Sequence, residues 1–344
     1  MLEDLTRQLN AARPLAKDQV CAAVGQLTDE KVPATVKADF LTALAQKGET
    51  PEEIAAFAHT LRNKSIAPPL DPETRAREIL DVVGTGGDRL STFNISTTVA
   101  ILCAAAGVTV AKHGNRAVTS SVGSADVVEE LGIKVDLSPA EAARSLREHN
   151  FAFLFAPNFH PAFKNIAPAR KLCAERGQRT IFNILGPLLN PARPSAALVG
   201  VPRPELCEPM ARALQSLGVR RGMVVCGRAD GKYLDELSTL GANHVAEFYQ
   251  ERGFAVSTLS PDNFPLQPAT LAALRGGDKF ANAEIIRRIL RGEERGPRRD
   301  AVLLNAGAAL FVAGKVDSIV AGWPFAVETI DSGKAAAKLA ELAG

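Results

Sequence analysis

Three glycines in four residues stand at Gly84-Thr85-Gly86-Gly87, closed by Asp88. Such a loop turns tightly and brings backbone N–H groups close to a ligand. It follows the apolar run Ile79 to Val83 and precedes Thr92, Asn94, Ile95, Ser96 and Thr97. A helix opening there adds free N–H groups and the positive end of its dipole, which together make an anion site. A plain strand-to-helix turn would explain the glycines alone. The coincidence of glycines, strand and Asn/Ser/Thr cluster favours a phosphate. Arg89 stands where a dinucleotide fingerprint needs its last glycine, and no Walker A stretch occurs.

A second polar stretch follows the apolar run Val108 to Ala111. It reads Lys112, His113, Gly114, Asn115, Arg116, Ala117, Val118, Thr119, Ser120, Ser121, Val122, Gly123, Ser124. Basic and hydroxyl groups in one loop suit a second phosphate. Two such loops after neighbouring strands imply a ligand with two separated phosphate groups. A polyphosphate commonly needs Mg²⁺, which prefers oxygen ligands, and the adjacent carboxylates Asp235 and Glu236 are candidates to hold it. The pair is expected in a solvated loop after the strand Gly222 to Cys226. The stretch Thr180 to Pro191 is too apolar and too rich in Gly and Pro for an ordinary surface loop. His59, His149, His160 and His244 read as isolated, with no metal or catalytic role.

The elements that must position these groups change character along the chain. Residues 1–66 show apolar spacing of three and four and read as helices. Thr50-Pro51-Glu52-Glu53 is a helix start, with Gly48 ending the helix before it. Three prolines within 67–74 suggest a linker. Strands and helices then alternate: strands at 79–83, 108–111, 134–137, 151–155, 196–201 and 222–226, helices at 96–106, 124–131, 138–149 and 205–217. From about Pro268 the chain is mainly helical again. This predicts an α/β fold: a small N-terminal all-helical domain plus a large domain with a mostly parallel sheet flanked by helices. Ligands of open α/β sheets sit at the carboxyl ends of the strands, where both loops fall.

Composition narrows the class. Apolar residues make up 46% and charged residues 23% of 344, a globular balance. Forty basic against 38 acidic residues leave a charge of +2, too small for a dedicated nucleic-acid binder. The five scattered cysteines form no C-x-x-C pair, so buried reduced thiols are expected. No signal-like start and no membrane-length apolar run are seen, and a cytoplasmic setting is expected.

Taken in order, Gly-Thr-Gly-Gly-Asp at 84–88, Asn-Ile-Ser-Thr at 94–97, Lys-His-Gly-Asn-Arg at 112–116, Gly-Ser-Ala-Asp at 123–126, Asn-Ile-Leu-Gly-Pro-Leu at 183–188 and Asp-Ala-Val-Leu-Leu-Asn-Ala at 300–306 resemble the anthranilate phosphoribosyltransferases. The likeness spans nearly the whole chain. It implies a helical domain over 1–70, joined by a returning piece near 160–185, and an α/β domain over 75–344. It implies the substrates 5-phosphoribosyl 1-diphosphate and anthranilate, two Mg²⁺ ions per site, and a homodimer through the helical domain. By resemblance, Gly84, Gly87, Asp88, Thr92, the run Asn94 to Thr97, the run Lys112 to Ser120, and Ser124 would line the diphosphate substrate. Ser96, Asp235 and Glu236 would contact the metal, and Gly84, Asn115 and Arg170 the anthranilate. Pyrimidine nucleoside phosphorylases share the fold but typically carry a serine-glycine pair where Gly114 and Asn115 stand. Two positions depart from the family pattern: Ser121, where lysine is frequent, and Asn165, where histidine or tyrosine is usual in the anthranilate channel.

Overall fold

The computed structural model describes residues 1–116 and 122–344. The chain opens with four helices, α1 (Leu2–Asn10), α2 (Lys17–Thr28), α3 (Ala34–Lys47) and α4 (Pro51–Asn63). The start of α4 is a capping box. Thr50 Oγ1 accepts from Glu53 N at 3.2 Å, and the Glu53 carboxylate accepts from Thr50 N at 2.9 Å. Gly48, at φ 86°, ends α3. The proline-rich stretch is not wholly a linker: Asp71 caps a short helix, α5 (Pro72–Ala76), by accepting from Thr74 N at 2.8 Å.

From there the chain builds β1 (Ile79–Gly84), α6 (Ile95–Ala105), β2 (Thr109–Gly114), α7 (Ser124–Glu130), α8 (Pro139–His149), β3 (Phe151–Phe155), α9 (Ala156–Phe159), α10 (Ala167–Glu175), β4 (Ala196–Gly200), α11 (Cys207–Ser216) and β5 (Arg221–Ala229). Next come β6 (Lys232–Leu234), β7 (Asn243–Tyr249), β8 (Gly253–Leu259), α12 (Lys279–Leu290), α13 (Pro297–Val312), α14 (Ile319–Asp331) and α15 (Lys334–Ala343). The sheet runs β3-β2-β1-β4-β5-β7-β8, with β6 also paired to β5. The pairs from β3 to β5 are parallel, and those made by β6, β7 and β8 are antiparallel.

Both sheet faces are covered. Leu80, Val82, Val110, Met223 and Val225 pack with α6 and α13 on one side. On the other, Val199, Val224 and Cys226 pack with α11 in a core that continues into Phe40 and Phe57 of the helical bundle. The segment 161–175 joins that bundle. Arg176 pairs with Asp39 at 3.0 Å, and Lys37, itself buried, donates to the carbonyls of Asp29 and Asn165.

Two expectations fail here, and one region carries elements that the sequence reading did not assign. Residues 134–137 form no strand. Ile133, Val135 and Leu137 are buried in alternation, so the segment is extended against the core; period two reports one buried side, not a ladder partner. The antiparallel strands β6 to β8 went unread, although Asp230-Gly231, with φ 49° and 75°, is the type I′ hairpin dipeptide between β5 and β6. Cys21 is exposed, whereas the other four thiols are buried.

Candidate functional site

The glycine loop leaves β1 at Gly84 and bends through left-handed backbone at Gly86, Arg89 and Ser91. Two of those three are not glycine, and such strain persists where surrounding structure enforces it. Asp88, through Leu90 N, and Gly276 N, through Ser91 O, hold the stretch around Arg89 and Ser91, and Asp235 holds the start of the loop. Its Oδ2 accepts from Gly86 N at 2.6 Å, Gly87 N at 3.3 Å and Thr85 Oγ1 at 3.2 Å. Asp88 ties back through Leu90 N and, at 3.4 Å, Asp235 N.

Asp235 and Glu236 follow β6 directly and are 7% and 9% exposed. They are therefore not the solvated loop pair expected from sequence. The short hairpin of β5 and β6 folds them back over the ends of β1 and β4. A side chain at Gly200 would collide with the Asp235 carbonyl, so the close approach requires glycine there. Burial, then repulsion from Asp88, pushes the Asp235 carboxyl above its ordinary range; burial, then Asp235, does the same for Glu236.

Helix α6 opens without a side-chain cap of its own, because Asn94 Oδ1 instead accepts from Asn282 Nδ2 at 3.1 Å. Glu236 Oε1 takes the Ser96 N–H at 3.2 Å. Ser96 Oγ also accepts from Lys112 Nζ at 3.3 Å, and the same ammonium donates to Val82 O at 2.7 Å. Ile95 and Thr97 are buried. Thr92 pairs in an isolated bridge with Arg275.

The second stretch begins differently from its reading as a loop. Lys112 and His113 belong to β2 and are buried, in register with Phe153 and Leu154 of β3. Among the described residues of the stretch, Asn115 and Arg116 are the exposed ones. Gly114 has no room for a side chain, since a Cβ would stand 2.6 Å from Phe153 Cζ. Arg116 is turned onto α7, where it pairs with Asp126 at 2.7 Å and Glu129 at 3.0 Å. Ser124 Oγ lies 3.4 Å from Asn115 O. Ala117, Val118, Thr119, Ser120 and Ser121 lie outside the described residues.

Arg170, on α10, stands apart from the glycine loop. Its guanidinium lies over the Phe182 ring at 5.5 Å, and burial alone lowers its pKa. From Phe182 a file of rings leads to the end of β2. Phe182 meets Phe163 edge-on at 5.8 Å, Phe163 stacks on His160 at 5.1 Å, and His160 lies 5.2 Å from His113. His160 is thus not isolated. Both histidines are buried and their pKa values fall, His113 to about 3 and His160 to about 4, through burial first. The file was missed because its members are spread from 113 to 182 and no spacing joins them. His149 pairs with Glu341 at 2.8 Å, an exposed contact. Asn165 does not face the file: its amide donates to Thr28 O at 2.9 Å, toward the helical bundle.

The arrangement thus has two ends. One is a cradle of N–H donors facing two buried carboxyl groups. The other is an aromatic wall closed by a cation. Residues 3–65 match the family model "Glycosyl transferase family, helical bundle domain", and residues 76–336 match "Glycosyl transferase family, a/b domain". The chain is 47% identical over 328 residues to anthranilate phosphoribosyltransferase of Petrotoga mobilis, covering 95% of this chain and 92% of that one. The crystal structure of anthranilate phosphoribosyltransferase from Thermus thermophilus superposes with a TM-score of 0.89 at 41% identity, covering 99% of this chain and 98% of that one. The Saccharomyces cerevisiae enzyme in complex with PRPP and Mg superposes with a TM-score of 0.86 at 27% identity, over 99% of this chain and 96% of that one. With both halves matched in order and relatives alike along almost their full length, the chain belongs to the glycosyl transferase family of these two domains, and within it to the anthranilate phosphoribosyltransferases.

Proposed function

We propose that the chain transfers the phosphoribosyl group of 5-phosphoribosyl 1-diphosphate to the amine of anthranilate, giving N-(5-phosphoribosyl)anthranilate and diphosphate, in tryptophan biosynthesis. One observation carries this reading beyond family membership: the N–H groups of Gly86, Gly87 and Ser96 converge on carboxyl oxygens of Asp235 and Glu236. Donors so arranged suit phosphate oxygens equally, and a leaving diphosphate gains charge where they point. The neighbouring carboxyls would repel that diphosphate unless a cation lay between.

The residues fit magnesium. Asp235, Glu236 and Ser96 Oγ offer oxygen alone, the donor type of a hard cation. Among the described residues no group of three His, Cys, Asp or Glu side chains stands together, so the shell would be completed by substrate oxygens and water, as is usual for Mg²⁺. When bound, the ion neutralises charge developing on the leaving group.

At the other end, Arg170 would pair with the anthranilate carboxylate while the ring lies against the aromatic file. Asn115, at the mouth of the second stretch, would align the amine with C1 of the ribose, gaining rate by orientation. The amine loses its proton late, so no strong base is required of the chain. Gly84, Gly87, Asp88, Thr92, Asn94, Lys112 and Ser124 are proposed to surround the diphosphate sugar, Lys112 through Ser96 and the β1 backbone. The finer parts of the reading are two ions per site, a cytoplasmic location and a homodimer through the helical bundle; sedimentation tests the dimer. Anthranilate fluorescence should disappear only when the protein, the diphosphate sugar and Mg²⁺ are mixed. Phosphorolysis of thymidine with anthranilate untouched would overturn the assignment.

A further inference from the structure

Asp81 lies in the middle of β1 and is 1% exposed. Its neighbours on that face of the sheet are Ile79, Ala111 and Ala152, an apolar setting that penalises a carboxylate lacking partners. It has two. Oδ1 accepts from His113 N at 3.3 Å, and Oδ2 accepts from Asn190 Nδ2 at 2.8 Å. Asn190 is equally well used. Its amide also donates to Ala111 O at 2.7 Å, and its oxygen accepts from Ala192 N at 2.9 Å. Asp81 and Asn190 therefore fasten the segment around 186–192 to β1 and β2.

That segment holds both histidines. The Gly186 carbonyl acts on the His113 ring, and the Leu189 carbonyl on the His160 ring. Nε2 of each ring is buried without a partner among the described residues. The rings stand at the head of the file that ends at Phe182 and Arg170. A shift of the 186–190 backbone would therefore move His113 and His160 together, and with them the wall at the acceptor end.

We propose that Asp81, acting through Asn190, is a positioning residue that sets the acceptor-side wall of the active site. The proposal rests on the reading of Arg170 and the aromatic file as the anthranilate end. The demand for a carboxylate follows from the donors. Two N–H groups converge on Asp81, and an ionised carboxylate accepts on both oxygens. An asparagine there must turn its own NH₂ toward one of the two donors, and an aliphatic residue abandons both.

The test compares Asp81→Asn, Asn190→Ser and the double variant Asp81→Asn/Asn190→Asp with Arg170→Ala, measuring kcat, both KM values and melting. Both single variants should raise the anthranilate KM at least tenfold, and Asn190→Ser, which leaves the Asp81 charge beside Lys112 in place, should keep the KM for the diphosphate sugar within twofold. The double variant restores a donor opposite an acceptor between positions 81 and 190 while leaving Ala111 O without its donor, and should recover part of the loss, at least threefold. A generic structural role would instead lower melting and kcat with both KM values alike, and that outcome overturns the proposal. Should Asp81→Asn fail to fold, Asn190→Ser carries the same comparison. If Arg170→Ala raises the anthranilate KM and neither clamp variant does, the Asp81 assignment alone is wrong. If Arg170→Ala also leaves it unchanged, the acceptor end has been misplaced and the proposal falls with it.

Discussion

Arg170 carries its charge into half-buried surroundings where Phe182, not a carboxylate, lies beside it. A cation so placed gains most from an incoming anion. Arg170→Ala should raise the anthranilate KM by about 10- to 150-fold, the equivalent of a lost charge-assisted contact of about 1.5–3 kcal/mol. The KM for the diphosphate sugar should hold, and steady-state kinetics on both substrates decides it. The buried acids give a second residue-scale expectation. Asp235→Asn with Glu236→Gln keeps their shape and removes their charge, so kcat should fall by about 100-fold or more, with a weakened response to Mg²⁺. Melting should hold or rise, because an amide is cheaper to bury than a carboxylate. Near-native kcat with native Mg²⁺ dependence would remove both residues from the metal. The histidines give a third. His160, held from 6.5 down to about 4 by burial, binds its proton more readily when the chain is unfolded. Its contribution is intact above about pH 6.5 and is lost as pH falls toward 4, on the order of 2 kcal/mol by pH 5. Asp81 works in the opposite sense, since burial raises it to about 6 and so favours the fold in acid. Melting from pH 7.5 to 5 should therefore fall more steeply in the native chain than in His160→Gln. Parallel curves would mean that His160 is not held neutral.

At the scale of elements, the glycine loop was legible from sequence because everything it needs is local: strand, glycines and the opening of α6 lie within 79–97. The depth of Asp235 and Glu236 was not, because it arises from a hairpin that returns over strands more than thirty residues earlier. Adjacent acids look the same whether water or backbone surrounds them. Lys112 shows the same limit. A lysine after an apolar run reads as the start of a loop, yet its ammonium finds Val82 O and Ser96 Oγ inside the fold. The returning hairpin supplies its own test at Gly200. Gly200→Ala places a methyl group where the Asp235 carbonyl stands, so the hairpin must lift from β4. The variant should lose activity on the order of the acid-pair variant and melt lower, by roughly 1–3 kcal/mol as for other overpacked sites. Unchanged activity with a native melting curve would show that the approach of Asp235 to β4 is not needed.

On the scale of the molecule, the alternation of strands and helices gave the sheet's parallel half from sequence, and helical spacing gave the bundle. What spacing could not supply was how the two share an interior. One continuous core takes in Val20, Phe40 and Phe57 from the bundle, Ile166 and Leu185 from the returning segment, and Val199 and Phe248 from the sheet. Arg62, near the end of α4, donates to the Leu217 carbonyl at the end of α11 across the same boundary. Two parts joined by so much buried surface do not melt separately. Calorimetry should record one transition whose van't Hoff and calorimetric enthalpies agree, and a chain begun at residue 72 should be recovered insoluble rather than as a stable fragment. The boundary between the two family domains is thus a seam in sequence but not in cooperativity: a lesion in the bundle, far from either substrate, would be felt at the active site as loss of folded enzyme.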